Sequence, residues 1–381
     1  MSVRFIVMCT ALSLSLLALS RPAHAQPVRA AAVVLVVSSA GRDSGRTRPG
    51  FEMDELTQAY HIFATNGFAV TIASPAGGAV QADKYDAGLA YNAAFLADTT
   101  AIRKLTNTTR TAAVRAGDFD AIFVVGGKGA MFDLPLDAAL ARLAGEIYDR
   151  GGVVSAVCHG PAGLVRARTK TGTALLAGRM VTGFSNEEEQ VFGKKWVSQF
   201  PFMLETEIRS LGAEWQEAAL MLPHVAIDGR IVTGQNPYAT AATAEAVVRT
   251  LGRPLAARTP WADERTVNFA YAALRRDPHT PRRELATIHA ELKIDLIGLI
   301  GYYQLQTATD TSAVRSALTL MELAAPYMPQ PQMTLGMADA YRRLGRMDDA
   351  RALAKDVVRL HPTMREAREM LTTLERATPP Q

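Results

Sequence analysis

A chain of 381 residues with 48% hydrophobic side chains is long enough to bury a sizeable core, and its length suggests two domains rather than one. Its 41 Lys and Arg against 37 Asp and Glu leave a formal charge of +4, and the two signs nearly balance on either side of residue 252, which excludes the basic excess of a nucleic-acid binder. Only two cysteines are present, one of them in the first 25 residues, so the chain cannot be a disulfide scaffold.

In chain order, residues 1–25 read as a secretory signal. Arg4 supplies positive charge, Phe5 to Leu19 form a short apolar stretch, and Ala23 to Ala25 offer a small-x-small cleavage pattern. The stretch is too short to span a membrane comfortably, and no later run reaches the roughly 18 apolar residues that would. The expectation is an exported protein, periplasmic or secreted, whose mature chain starts at Gln26 and carries a single thiol, Cys158.

From Ala32 onward, short β-branched runs alternate with amphipathic stretches. "AVVLVVSS" (32–39), "GFAVTIASP" (67–75), "DAIFVVGG" (120–127) and "GVVSAV" (152–157) are bounded by Gly, Pro or Ser, as strands are. Met53, Leu56, Tyr60 and Phe63 fall at helical spacing between the first two, and Leu136, Leu140, Leu143 and Ile147 between the last two. Apolar strands alternating with helices predict an α/β domain with a parallel sheet covered on both faces and ligands beyond the strands' carboxyl ends. "HVAIDGRIVTG" (224–234) predicts a hairpin turning at Asp228 and Gly229. Pro254 and Pro260 interrupt the pattern, so the α/β domain is placed at residues 26–252.

Residues 253–381 carry helical patterns with few strand signals. There, Ala338, Tyr341, Ala350, Val357 and Pro362 fall at tetratricopeptide spacing, and Ser316 to Pro329 reads as part of a degenerate preceding repeat. One good repeat and one poor one are too few for a free-standing solenoid. This smaller all-α module is therefore expected to dock on the α/β domain or on a protein partner.

The stretch "VVSAVCHGPAGL" (153–164) carries the chemistry. A strand ending at Val157, a nucleophile at Cys158 and then His159-Gly160-Pro161 make a strand-to-helix turn like a nucleophile elbow with cysteine in place of serine. Amides at the start of the following helix are expected to favour the thiolate. The His159 amide is a candidate oxyanion donor, and "GGKG" (126–129) brings a second from Gly127.

Together these pieces resemble the PfpI superfamily, whose fold is related to class I glutamine amidotransferases, and within it the branch of heat-shock chaperones and glutathione-independent glyoxalases (glyoxalase III). The matching segments run in order from "RPGFEMDELTQAYHIFATNGFAVTIASPAGG" through "DFDAIFVVGGKGAMFDLP", "AVCHGPAGL", "RMVTGFSNEEE" and "FPFMLETEIRSLGAEW" to "PHVAIDGRIVTGQNP". The resemblance implies a flavodoxin-like α/β fold. It implies that Cys158 is the nucleophile, His159 its neighbouring histidine, Glu55 the acid meeting the sulfur, and Glu189 the acid orienting the histidine, with Glu188 the alternative if the local alignment slips. Gly127 and His159 would donate oxyanion-hole amides. A carboxylate touching a thiolate would repel it, so Glu55 is expected to be protonated and to donate to sulfur. Lys128 stands where the family's "GGHG" has histidine, placing a flexible cation at the mouth of the site and bearing on substrate preference. The export signal and helical module also depart from the family's usual pattern.

The leading function is therefore a glutathione-independent glyoxalase converting methylglyoxal or a related 2-oxoaldehyde to a 2-hydroxy acid, with no metal or organic cofactor. The alternatives are a stress-response chaperone or redox sensor built on Cys158, and a cysteine peptidase or amidase. The partners expected are a small aldehyde, a protein bound through the C-terminal helices, and a second copy of the chain in a homodimer.

Overall fold

The computed structural model describes Met1 and residues 30–376. The signal and its cleavage pattern lie outside the described residues. Among those residues, no helix is long and apolar enough to cross a membrane.

The strands are β1 (Ala32–Val36), β2 (Ala69–Ser74), β3 (Thr109–Arg110), β4 (Ala121–Val124), β5 (Val153–Val157), a small pair β6 (Met180–Val181) and β7 (Glu214–Trp215), β8 (Val225–Asp228) and β9 (Ile231–Gly234). Seven of them form one sheet in the order β3-β2-β1-β4-β5-β9-β8, parallel except where β8 pairs antiparallel with β9. Every residue of β1, β4 and β5 is buried, which is why these runs are continuously apolar rather than alternating, except for Ser155 of β5, whose hydroxyl donates to the Ile122 carbonyl at 2.8 Å. The hairpin exists, with Asp228 paired to Ile231, so its two loop residues are Gly229 and Arg230, and Gly229 takes the left-handed conformation at φ 56°.

Helices α1 (Met53–Thr65), α2 (Ala90–Ala97), α3 (Thr99–Thr106), α4 (Ala130–Asp133), α5 (Ala138–Asp149), α6 (Asn186–Phe192), α7 (Leu204–Ser210) and α8 (Thr240–Thr250) flank the sheet or connect its strands. In α1, Met53, Leu56, Tyr60 and Phe63 are buried on the sheet side, as their spacing predicts. In α5 the predicted stripe loses its first member. Asp137 accepts from the Ala139 and Leu140 amides and starts the helix there, so Leu136 lies outside it and is 64% exposed.

Seven further helices follow: α9 (Ala262–Ala273), α10 (His279–Ile288), α11 (Ile294–Thr307), α12 (Thr311–Ala324), α13 (Pro331–Arg343), α14 (Met347–Leu360) and α15 (Arg365–Arg376). They pack as successive neighbours, α11 on α12, α13 on α14 and α14 on α15. The apolar faces of α9 to α13 gather into a second core beside that of the sheet, while α14 and α15 close two small clusters of their own, one with Leu335, Val357 and Ala367 and one with Ala350, Ala354 and Leu374. Leu220, Met221 and Leu222, from the loop before β8, belong to this helical core, and Phe192 and Tyr238 pack on it. The helical extension therefore rests on the α/β layer.

Candidate active site

Three neighbouring strands deliver the floor of the site. Gly126 lies just past β4, Cys158 directly follows β5, and Asn236 lies just past β9, all at carboxyl ends. The start of α1 lies against this floor, with the Glu52 amide donating to the Gly126 carbonyl at 3.2 Å. Gly126 has no room for a side chain, because a Cβ there would stand 2.7 Å from the His159 nitrogen and 2.8 Å from Cys158 Cβ. Gly127 is held at φ 84°, a region that glycine alone enters freely.

Cys158 sits on left-handed backbone, φ 58°. Two hydrogen bonds of 2.9 Å hold it there: its amide donates to the Gly234 carbonyl, and its carbonyl accepts from the Phe184 amide. The sulfur lies 3.3 Å from His159 Nδ1, and His159 Nε2 lies 2.8 Å from Glu189 Oε2. A carboxylate only accepts, so the Nε2 hydrogen belongs to the Glu189 bond and Nδ1 presents its lone pair to the thiol. Phe184 covers the imidazole with ring centroids 4.5 Å apart. Glu188 has a different task. It closes a capping box with Ser185 at the start of α6 and accepts from the Met221 amide at 3.2 Å and from Asn236 Nδ2 at 2.8 Å. Glu189, not Glu188, is the residue on the histidine.

Glu55 is fully buried under Cys158, and its Oε2 accepts from the Gly126 amide at 2.6 Å. Burial, and next the neighbouring Glu52, push its carboxyl well above the ordinary glutamate value, while the Gly126 amide and the Cys158 thiol pull it back. Burial, and next Glu55, push the Cys158 thiol well up, opposed by the Gly127 amide on its sulfur. Two adjacent groups that both resist charge each keep their proton, so when Cys158 ionises Glu55 stays neutral and can donate to the sulfur.

The expected thiolate at a helix N-terminus is corrected by the structure. The segment after Cys158 is a 3-10 turn, Gly160–Leu164, rather than an α-helix, and desolvation with Glu55 outweighs the pull of the Gly127 amide.

The site opens into a cavity of about 270 Å³. Lys128 lines it as expected, but it faces carboxyls that the sequence did not single out, Glu52, Asp54 and Asp83. Burial, then Asp54 and Asp83, push Glu52 up to about 8, with Lys128 opposing. Burial likewise raises Asp54 and Asp83. The opposite wall holds Phe192, Met221, Asn236 and Tyr238. Asn236 lies in "GQNP" and was visible as part of a matching segment, whereas Met221 belongs to no motif. Among the described residues, no group of three or more His, Cys, Asp or Glu is placed to hold a metal ion. A buried thiol with an oriented base and an adjacent proton-holding acid can add to an electrophilic carbon and move protons around it.

Comparison with known proteins bears on the family and the fold. The DJ-1/PfpI family profile matches residues 47–250. Glyoxalase 3 of Candida albicans is 36% identical over 151 residues, 38% of this chain and 63% of that protein, so the chain spans less than two thirds of that relative's length. The crystal structure of glyoxalase III from the same organism superposes with a TM-score of 0.53 at 27% identity, covering 58% of this chain and 97% of that one. Francisella tularensis Rapid Encystment Protein 24 kDa superposes with a TM-score of 0.54 at 31% identity, covering 58% of this chain and 99% of that one.

Proposed function

Because the chain belongs to the DJ-1/PfpI family, we propose that it is a glutathione-independent glyoxalase that converts methylglyoxal, or a related 2-oxoaldehyde, to a 2-hydroxy acid. The observation that carries this reading is the Cys158–His159–Glu189 line with Glu55 at the sulfur. Relatives at this level of identity are named glyoxalases, and the cavity of about 270 Å³ suits a small molecule better than a polypeptide.

His159 Nδ1 takes the thiol proton while neutral Glu55 donates to the forming thiolate, and the sulfur adds to the aldehyde carbon to give a hemithioacetal. The Gly127 and His159 amides are the donors assigned to the developing oxyanion. A base beside the sulfur removes the hydrogen from that carbon to give an enediol, and protonation of the next carbon leaves a thioester of the 2-hydroxy acid. Water cleaves the thioester, releasing the acid and the free thiol. The sum is one aldehyde plus one water, with no external oxidant or reductant. This makes the enzyme a lyase in its overall class rather than a peptidase or amidase. The leader-like N-terminus supports action on aldehydes outside the cytoplasm, and the repeat-like pattern in α13 and α14 supports a protein partner for the helical extension.

The test is incubation with methylglyoxal in the absence of glutathione while lactate is measured. The native protein is expected to form lactate and Cys158→Ser to form none above background. Lactate formed equally by both would refute the assignment. Protection of unfolded client proteins that persists in Cys158→Ser would favour a chaperone.

A further inference from the structure

We propose that Gln304, on α11 of the helical extension, is a positioning residue that shapes the pocket in front of Cys158. The proposal rests on reading that pocket as the reaction site, not on the identity of the aldehyde. Gln304 is 7% exposed, and its Nε2 donates to the Leu220 carbonyl at 2.9 Å. The next residue, Met221, lines the pocket on left-handed backbone at φ 64°. A non-glycine residue in that region persists only where its surroundings over-determine it.

The Leu222 amide closes the turn on the Ala219 carbonyl at 2.9 Å, and three further hydrogen bonds tie that turn to its surroundings. Gln304 holds Leu220, the Met221 amide donates to Glu188 Oε1 at 3.2 Å, and the Leu222 carbonyl accepts from Asn236 Nδ2 at 2.9 Å. Leu220 and Leu222 are buried in the helical core on either side of Met221. The first of these bonds is the one that the extension itself supplies. Tyr303, beside Gln304, packs edge-on against Phe192 of the same pocket wall, with centroids 5.0 Å apart.

Removing the Gln304 donor orphans the buried Leu220 carbonyl and loosens the turn, which keeps only its own closing bond and the two from the α/β domain. Met221 then shifts in the pocket wall. The groups in contact with the sulfur, Glu55, Gly127 and His159, are held by Gly126 and Glu189 and by their own backbone, and none of them is bonded to residues 220–222. The effect is on what reaches Cys158, not on how readily it ionises.

The test uses the full chain and compares alkylation of Cys158 by iodoacetamide and by the bulkier N-phenylmaleimide, read by mass spectrometry of the peptide. Gln304→Met keeps the volume and removes the donor. It is expected to change the ratio of the two rates by about fivefold, the weight of one buried neutral hydrogen bond, while the iodoacetamide rate stays at the native value. Gln304→Glu, whose buried carboxyl donates while protonated, is expected to restore the native ratio near about pH 5 and lose it near about pH 9. With methylglyoxal, Gln304→Met is expected to raise KM and leave kcat in place. An unchanged ratio, or a parallel change in both rates, would overturn the proposal. If Gln304→Met does not fold, the pH dependence of Gln304→Glu decides. If the native protein makes no lactate, the glyoxalase reading fails, and the alkylation ratio still tests Gln304.

Discussion

A carboxyl that keeps its proton at neutral pH can offer a substrate a hydrogen-bond donor, and Glu52 is such a group at the pocket wall. As pH rises through about 8 it acquires a negative charge beside Glu55, which holds the Glu55–Cys158 proton more tightly and opposes thiolate formation. The kcat/KM profile of the native protein is expected to bend downward above that pH, and that of Glu52→Gln to lack the bend. Stability follows the same titration. An unfolded Glu52 releases its proton near 4.5 while the folded one keeps it to about 8, so stability contributed by neutral Glu52 is lost as pH rises across that window. Thermal midpoints measured between these values are expected to fall less steeply in Glu52→Gln. At this scale Cys158 and His159 were legible because one local strand-and-turn pattern contains both. Glu55 and Glu189 were legible only through the family resemblance, since their burial is produced by distant segments. Glu52 was not legible, because its neighbours Asp83 and Lys128 meet it only in the folded chain.

Among the elements, α6 carries the greatest functional weight for its length. Its first turn holds Glu188 in the capping box and Glu189 on His159, so the cap that starts the helix also aims the imidazole. Ser185→Ala is expected to cost about 1 kcal/mol in urea unfolding and to lower kcat by loosening Glu189, whereas Ser185→Thr retains the cap and most of both. The acidic run Glu187 to Glu189 looks solvent-exposed in isolation, yet Glu188 and Glu189 are 1% and 3% exposed. The strands and α1 were readable because continuous burial and helical packing leave their periods in the residues themselves. The short 3-10 turn after Cys158 was not, because Gly-Pro-Ala-Gly fits either helical form and tertiary packing chooses between them.

Across the whole molecule, the described residues from Ala31 onward form one compact unit with two large cores and two small clusters among α13, α14 and α15. Arg258 joins the two regions, bridging Glu245 of α8 at 2.7 Å and Glu264 of α9 at 2.6 Å. Tyr91 adds a second tie by donating to Asp263 at 2.7 Å. A chain ended after Arg258 would expose Phe192, Leu220, Leu222 and Tyr238 along one face. It is expected to bind a hydrophobic dye, self-associate and lose lactate formation, as sizing chromatography and the methylglyoxal assay would show; a monomeric, active truncation would contradict this. Docking of the helices on the α/β domain was one of the two outcomes expected from the few repeat-like matches in their sequence, the other being docking on a partner. Their contact with the pocket wall was not, because nothing in the local pattern of "ALMLPH" distinguishes a loop that receives α11 from one that faces water.

The left-handed backbone at Cys158 sets reactivity against economy of fold. Holding an L-residue there costs about 1–2 kcal/mol that a glycine would not incur. The chain thus keeps at its chemical centre a residue that its own conformational preferences disfavour. Drift toward greater stability at position 158 would lead away from the thiol, so only selection for what the sulfur does can hold it in place.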